Sequence, residues 1–228
     1  MTPQEHSLLF YGLLCTAFLL ARIPYFGKSL RVVNTLFHEA GHAFMALAFS
    51  GKVLRMELFP DLSGTTKTAT GSSLARFAVA VSGYPFASAS AWILLFLIYH
   101  NQETVVLWIL GILAMLALLF FVRNTFGVIW LLLFLALHSF TIIYAETTIK
   151  YAIALIFTML LTSESVYSAF VILILSFRSP KAAGDANNLR ELTGVPELIW
   201  GALFVAFALF ILWNSLNSFF PPVKEILG

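Results

Sequence analysis

Charge is scarce in this chain. Only 11% of its 228 residues are Asp, Glu, Lys or Arg, against roughly a quarter in soluble domains. Hydrophobic residues make up 60%, with Phe unusually common at 23. Mean hydropathy is +0.92. No single core buries that much apolar surface, so lipid must cover much of it. The net charge of +2 excludes the basic footprint of a nucleic-acid-binding protein. Cysteine is nearly absent: Cys15 stands alone, which excludes an internal disulfide. Residues 1–6 hold no Lys or Arg, so the basic region of a signal peptide is missing. The first apolar stretch therefore reads as a retained span.

A spanning helix needs about 20 mostly apolar residues. Runs that qualify are Ser7–Phe26, Leu30–Phe49, Leu74–Tyr99, Thr104–Phe121, Thr125–Ala145 and, near the end, Glu197–Leu216. The stretch Ile149–Phe177 is too long for one simple span. Thr162, Ser163, Glu164 and Ser165 interrupt it, which predicts two half-helices or one broken helix. The expected class is an all-α polytopic membrane protein of about six to eight segments. One integral membrane domain over residues 1–228 accounts for the whole chain.

Two stretches are polar. In residues 51–73, Lys52–Leu58 and Thr65–Thr70 alternate loosely around the turn residues Pro60, Asp61, Ser63 and Gly64. That predicts a β-hairpin at the membrane surface. Residues 178–196 read as a loop and a short amphipathic helix, ended by Thr193, Gly194 and Pro196. Lys52, Arg55, Lys67 and Arg123 on the hairpin side, against Lys28, Arg31 and Lys150 opposite, lean towards a cytoplasmic hairpin.

The string Phe37-His38-Glu39-Ala40-Gly41-His42 carries the chemistry. Residues four apart share one helix face, so His38 and His42 can present nitrogens to one metal ion. Glu39 projects beside them, placed to take a proton from a zinc-bound water. This is the H-E-x-x-H arrangement of zinc hydrolases. It lies about 8–12 residues into an apolar run, roughly 12–18 Å deep, where ionisable residues are costly and usually functional. The plainer alternative is a helix-packing histidine pair without metal.

Catalytic zinc usually takes three protein ligands. His100, Glu103 and Glu146 sit at span ends, and Glu191 and Glu197 on a surface-like helix and its exit. His138 is mid-span and reads better as a satisfied buried histidine than as a ligand. Glu164 in the broken stretch and Asp185, flanked by Gly184 and Ala186, both remain candidates. The alternative role for Asp185 is a helix N-cap.

A motif helix of this kind, followed by a hairpin, then Gly83-Tyr84-Pro85, then Gly184-Asp185, resembles the site-2 protease family of intramembrane metalloproteases. Its compact branch, without PDZ or CBS domains, is the nearest match in layout. The resemblance covers about residues 30–200. It implies Zn2+ held by His38, His42 and Asp185, with Glu39 as catalytic base. It places a helix opening at the Gly-Pro turn and implies substrate contacts from Gly83, Pro85 and Ser88. The implied activity is endopeptidase cleavage in or near transmembrane segments of a membrane protein or peptide, in a bacterial-type plasma membrane. A membrane adaptor with a relic metal site is the first alternative, and a metal or proton transporter using His38, His42, His138 and Glu164 the second.

Overall fold

The computed structural model describes residues 3–222. Helices α1 (Pro3–Arg22) and α2 (Phe26–Ala48) are followed by strands β1 (Lys52–Leu58) and β2 (Gly64–Ala69). Then come α3 (Ser73–Tyr99), α4 (Glu103–Leu116), α5 (Thr125–Tyr144), α6 (Thr147–Arg178), α7 (Gly184–Thr193) and α8 (Glu197–Phe219). Five helices are long and apolar enough to cross a membrane: α3, α4 with its terminal π turn, α5, α6 and α8. The α1–α2 pair passes the same test only jointly, bent by 106° at its break, which makes up to six spans. The separate spans expected at 7–26 and 30–49 are therefore one bent unit by this criterion. The reason is visible in α2. It carries Lys28, Arg31 and Glu39, and more than half of its residues are buried by the rest of the protein. A helix wrapped by protein need not be apolar on every face.

The expected break in the long apolar stretch does not occur. Helix α6 runs without interruption for 32 residues, about 48 Å at 1.5 Å per residue. Its hydroxyls bond back to their own helix: Thr158 to Ala154, Thr162 to Thr158, and Ser165 to Thr162, at 2.8, 2.8 and 3.0 Å. Such back-bonding satisfies the side chain without opening the helix. Glu164 is neutralised instead by Arg31 of α2, Nε to Oε1 at 2.7 Å.

The Gly83-Tyr84-Pro85 segment does not open a helix. It lies inside α3, where Pro85 removes one backbone N–H, a loss that membrane helices tolerate.

The hairpin is antiparallel, with Leu58 opposite Gly64 and Met56 opposite Thr66. Its outer edge at β1 is covered. Val122 bridges Met56 in parallel, and Arg123 N–H donates to the Met56 carbonyl at 3.2 Å. The Asn124 amide then brackets Leu58, accepting from its N–H at 3.1 Å and donating to its carbonyl at 2.5 Å. Thr35 of α2 donates to the Leu62 carbonyl at 2.9 Å. These bonds pin the hairpin along α2 and leave β2 as the open edge of the sheet.

Candidate metal centre

Helix α2 presents Arg31, Asn34, Thr35, His38, Glu39 and His42 to one cleft. Their spacing of three and four places them on one face. The cleft has a volume of about 1160 Å³ and is walled by β2, α3, α6 and α7.

Helix α7 brings the third group. Ala183, just before it, and its apolar positions Ala186 and Leu189 are fully buried in a cluster with Ala80, Ala169 and Phe204. Arg190 ties it to Glu197 of α8 at 3.3 Å, and Gly194 closes it in the left-handed conformation, φ 74°. With that face seated, Asp185 in the first turn aims inward rather than capping its own helix.

Asp185 Oδ2 lies 3.1 Å from His38 Nε2 and 3.2 Å from His42 Nε2. The two Nε2 atoms are 3.1 Å apart. Among the described residues these three form the group able to hold a metal ion. Tetrahedral zinc with bonds of about 2.0–2.1 Å separates its ligand atoms by roughly 3.3 Å, so the triangle fits with little adjustment. The donor chemistry agrees. His42 Nδ1–H donates to the Val79 carbonyl at 2.7 Å, which leaves Nε2 as the lone-pair nitrogen. Asp185 Oδ2 is buried with no aligned hydrogen-bond donor. Two nitrogens and a carboxylate oxygen converging at this spacing suit a cation.

Glu39 sits beside this triangle, 3% exposed, with Oε2 buried and without a hydrogen-bond partner. The hairpin lies directly on it. A Cβ on Gly64 would stand 2.6 Å from Glu39 Oε1, so only glycine lets the strand approach this closely. Thr66 adds a hydrogen bond to the Glu39 carbonyl at 3.3 Å.

The remaining candidates separate cleanly. Gly83 touches the His38 ring: a Cβ there would stand 2.7 Å from both of its nitrogens. Pro85 and Ser88 do not line the cleft; Ser88 is 1% exposed, one turn of α3 beyond Tyr84. Glu164 lines the cleft but is paired with Arg31, so it is not the third ligand of this triangle. His138 is 1% exposed and packs on Phe134 and Phe157, away from the cleft. Its Nδ1–H donates to Phe134 at 2.8 Å, while Nε2 is unpartnered.

The family model described as Peptidase M50B-like matches residues 11–215. The chain belongs to that family of membrane metalloproteases. No curated protein and no solved structure matches it. The match bears out the resemblance to site-2 proteases and reaches every residue of the triangle.

Reading the M50B-like chain as a string misses three features of the cleft. Arg31 stands two helical turns before His38 on the same face, a spacing that was legible. Asn34, between them, reaches Ser168 of α6 at 3.4 Å. Tyr84 appears in the sequence only as the residue separating Gly83 from Pro85, and nothing local marks it.

Proposed function

We infer that this protein is an intramembrane zinc endopeptidase that hydrolyses peptide bonds in or near transmembrane segments. The observation that carries the reading is the convergence of His38, His42 and Asp185 beside a buried, unpartnered Glu39. His38 Nε2, His42 Nε2 and Asp185 Oδ2 would hold the metal. Bound zinc supplies a Lewis acid that brings the pKa of water towards about 7 and polarises a carbonyl.

The chain's own residues do the rest. Glu39 accepts the proton of the attacking water through Oε2 and returns it to the leaving nitrogen. Its burial excludes bulk solvent from that proton. A helical substrate hides its peptide groups in its own hydrogen bonds, so a segment must unwind before attack. The open edge of β2 lines the cleft through Thr65, Thr66 and Thr68 and offers backbone groups to an unwound segment as an added strand. The polar face of α2 gives water its route. The partner is thus a membrane protein or peptide with a locally extended stretch.

The test is reconstitution of the full chain in lipid vesicles with a transmembrane model peptide. The wild type should carry about one zinc ion per chain and cleave. Glu39→Gln should keep the metal and lose roughly 10²–10⁴-fold in rate. Metal-free wild type from a chelator-free preparation, or Glu39→Gln cleaving at full rate, would overturn the reading.

A further inference from the structure

Tyr84 is buried against the site and has no part in the chemistry above. It is 8% exposed and lines the cleft. Its ring is held from two sides. It meets His38 edge-on, centroids 4.5 Å apart at 72°, and lies against Phe204 at 4.7 Å and 33°. Within those contacts a phenylalanine would pack as well. The hydroxyl is the group that this packing does not explain. Among the described residues no hydrogen bond is formed by the Tyr84 hydroxyl. Tyr84 lines the same cleft as Glu39 and Asp185, with its ring against His38.

Peptide hydrolysis creates a charge in just such a place. Water oxygen adds to the carbonyl carbon while Glu39 takes the water proton. The π pair of the C=O bond moves onto the carbonyl oxygen, which becomes an oxyanion. When the C–N bond breaks, that pair re-forms the carbonyl and the proton on Glu39 passes to the leaving nitrogen. Donors aimed at the oxyanion are worth most in a site closed to water. We propose that the Tyr84 hydroxyl donates a hydrogen bond to the oxyanion and is a catalytic residue. The phenol keeps its proton throughout, so the step balances without another reactant. Other cleft donors are less suited. The Asn34 amide is engaged with Ser168, and Asn188 is exposed on α7. The proposal rests on the endopeptidase reading.

The experiment compares wild type, Tyr84→Phe, Asn188→Ala and Glu39→Gln in vesicles with one transmembrane peptide substrate. Zinc content is measured for each. Tyr84→Phe should keep zinc and KM and lose roughly 10²–10³-fold in kcat. A phosphinic peptide that mimics the tetrahedral intermediate should bind Tyr84→Phe more weakly by a similar factor, while product peptide binds equally. Wild-type kcat in Tyr84→Phe overturns the proposal. So does loss of zinc in step with activity, which would make Tyr84 a support for His38 only. A large kcat loss confined to Asn188→Ala overturns it by naming another donor. An inactive wild type, or an active Glu39→Gln, instead refutes the endopeptidase reading itself.

Discussion

Gly83→Ala adds one methyl group at the closest approach of α3 to the metal site. The ideal Cβ would stand 2.4 Å from His38 Cε1 and 2.7 Å from Nδ1 and Nε2, where ordinary contact begins at 3.4 Å. The ring or the helix must therefore yield by about 1 Å. Neither has an easy escape. The His38 ring is packed edge-on by Tyr84, and its Nε2 is one corner of the donor triangle. Helix α3 is tied to α2 at the same level by the His42–Val79 hydrogen bond. A displacement approaching 1 Å in a reacting constellation costs on the order of 10²-fold. Gly83→Ala should thus lose about that factor in kcat/KM and bind zinc more weakly. Gly111→Ala is the control. It places the same methyl on α4 with nothing within 4 Å, and alanine is the better helix former by about 0.5–1 kcal/mol. It should be active and no less stable. Zinc content and peptide cleavage in vesicles read both variants. Full activity and full metal content in Gly83→Ala would refute the idea that glycine is there to admit His38.

Asp185→Ala should lower zinc affinity at least about tenfold and abolish cleavage, whereas Glu164→Gln should keep zinc; equilibrium dialysis of the two variants decides which carboxylate is the ligand. Arg31→Leu and Glu164→Leu should each destabilise the protein more than the double variant does, because a single change strands a largely buried charge; thermal unfolding in detergent checks the order. Asn124→Ala leaves both Leu58 backbone groups without their bracket and should cost about 1–3 kcal/mol, with protease sensitivity appearing first in the hairpin.

Local patterns were readable from the sequence because their physics is local. The histidine pair is visible because i and i+4 share a helix face, and the hairpin because its turn residues announce it. Asp185 was one of two carboxylates the residues allowed, since the seating of α7 depends on Ala183, Ala186 and Leu189 meeting α3, α6 and α8. The break predicted in α6 failed because Thr and Ser were read as interruptions, while in the fold their hydroxyls return to the preceding turn. Glu164 was read the same way, although its partner Arg31 lies on another helix and no local signal pairs them. The helix start at Gly83–Pro85 was implied by the family resemblance alone; the apolar run Leu74–Tyr99 already put the segment inside one helix, where packed membrane helices tolerate proline. Tyr84 escaped notice because its role depends on which ring it faces.

The division of labour among the helices explains how so polar a site persists in so apolar a chain. In the membrane-like windows of α4 and α8 only 28% of residues are buried inside the protein, against 50% in α3. The outer helices spend their hydrophobicity on lipid. Helix α2 instead gives up that surface to α3, α6 and the hairpin, and can then carry Arg31, Asn34, His38, Glu39 and His42 along one face. Each charge on that face meets a compensating group from a different element: Glu164 from α6 for Arg31, and Asp185 from α7 for the histidines. Among the described residues Glu39 Oε2 has no hydrogen-bond partner. A buried carboxylate without a donor is costly, and this one is held in place by a glycine-only approach of β2. That unpartnered oxygen is the one to which the proposed function gives the proton of the attacking water.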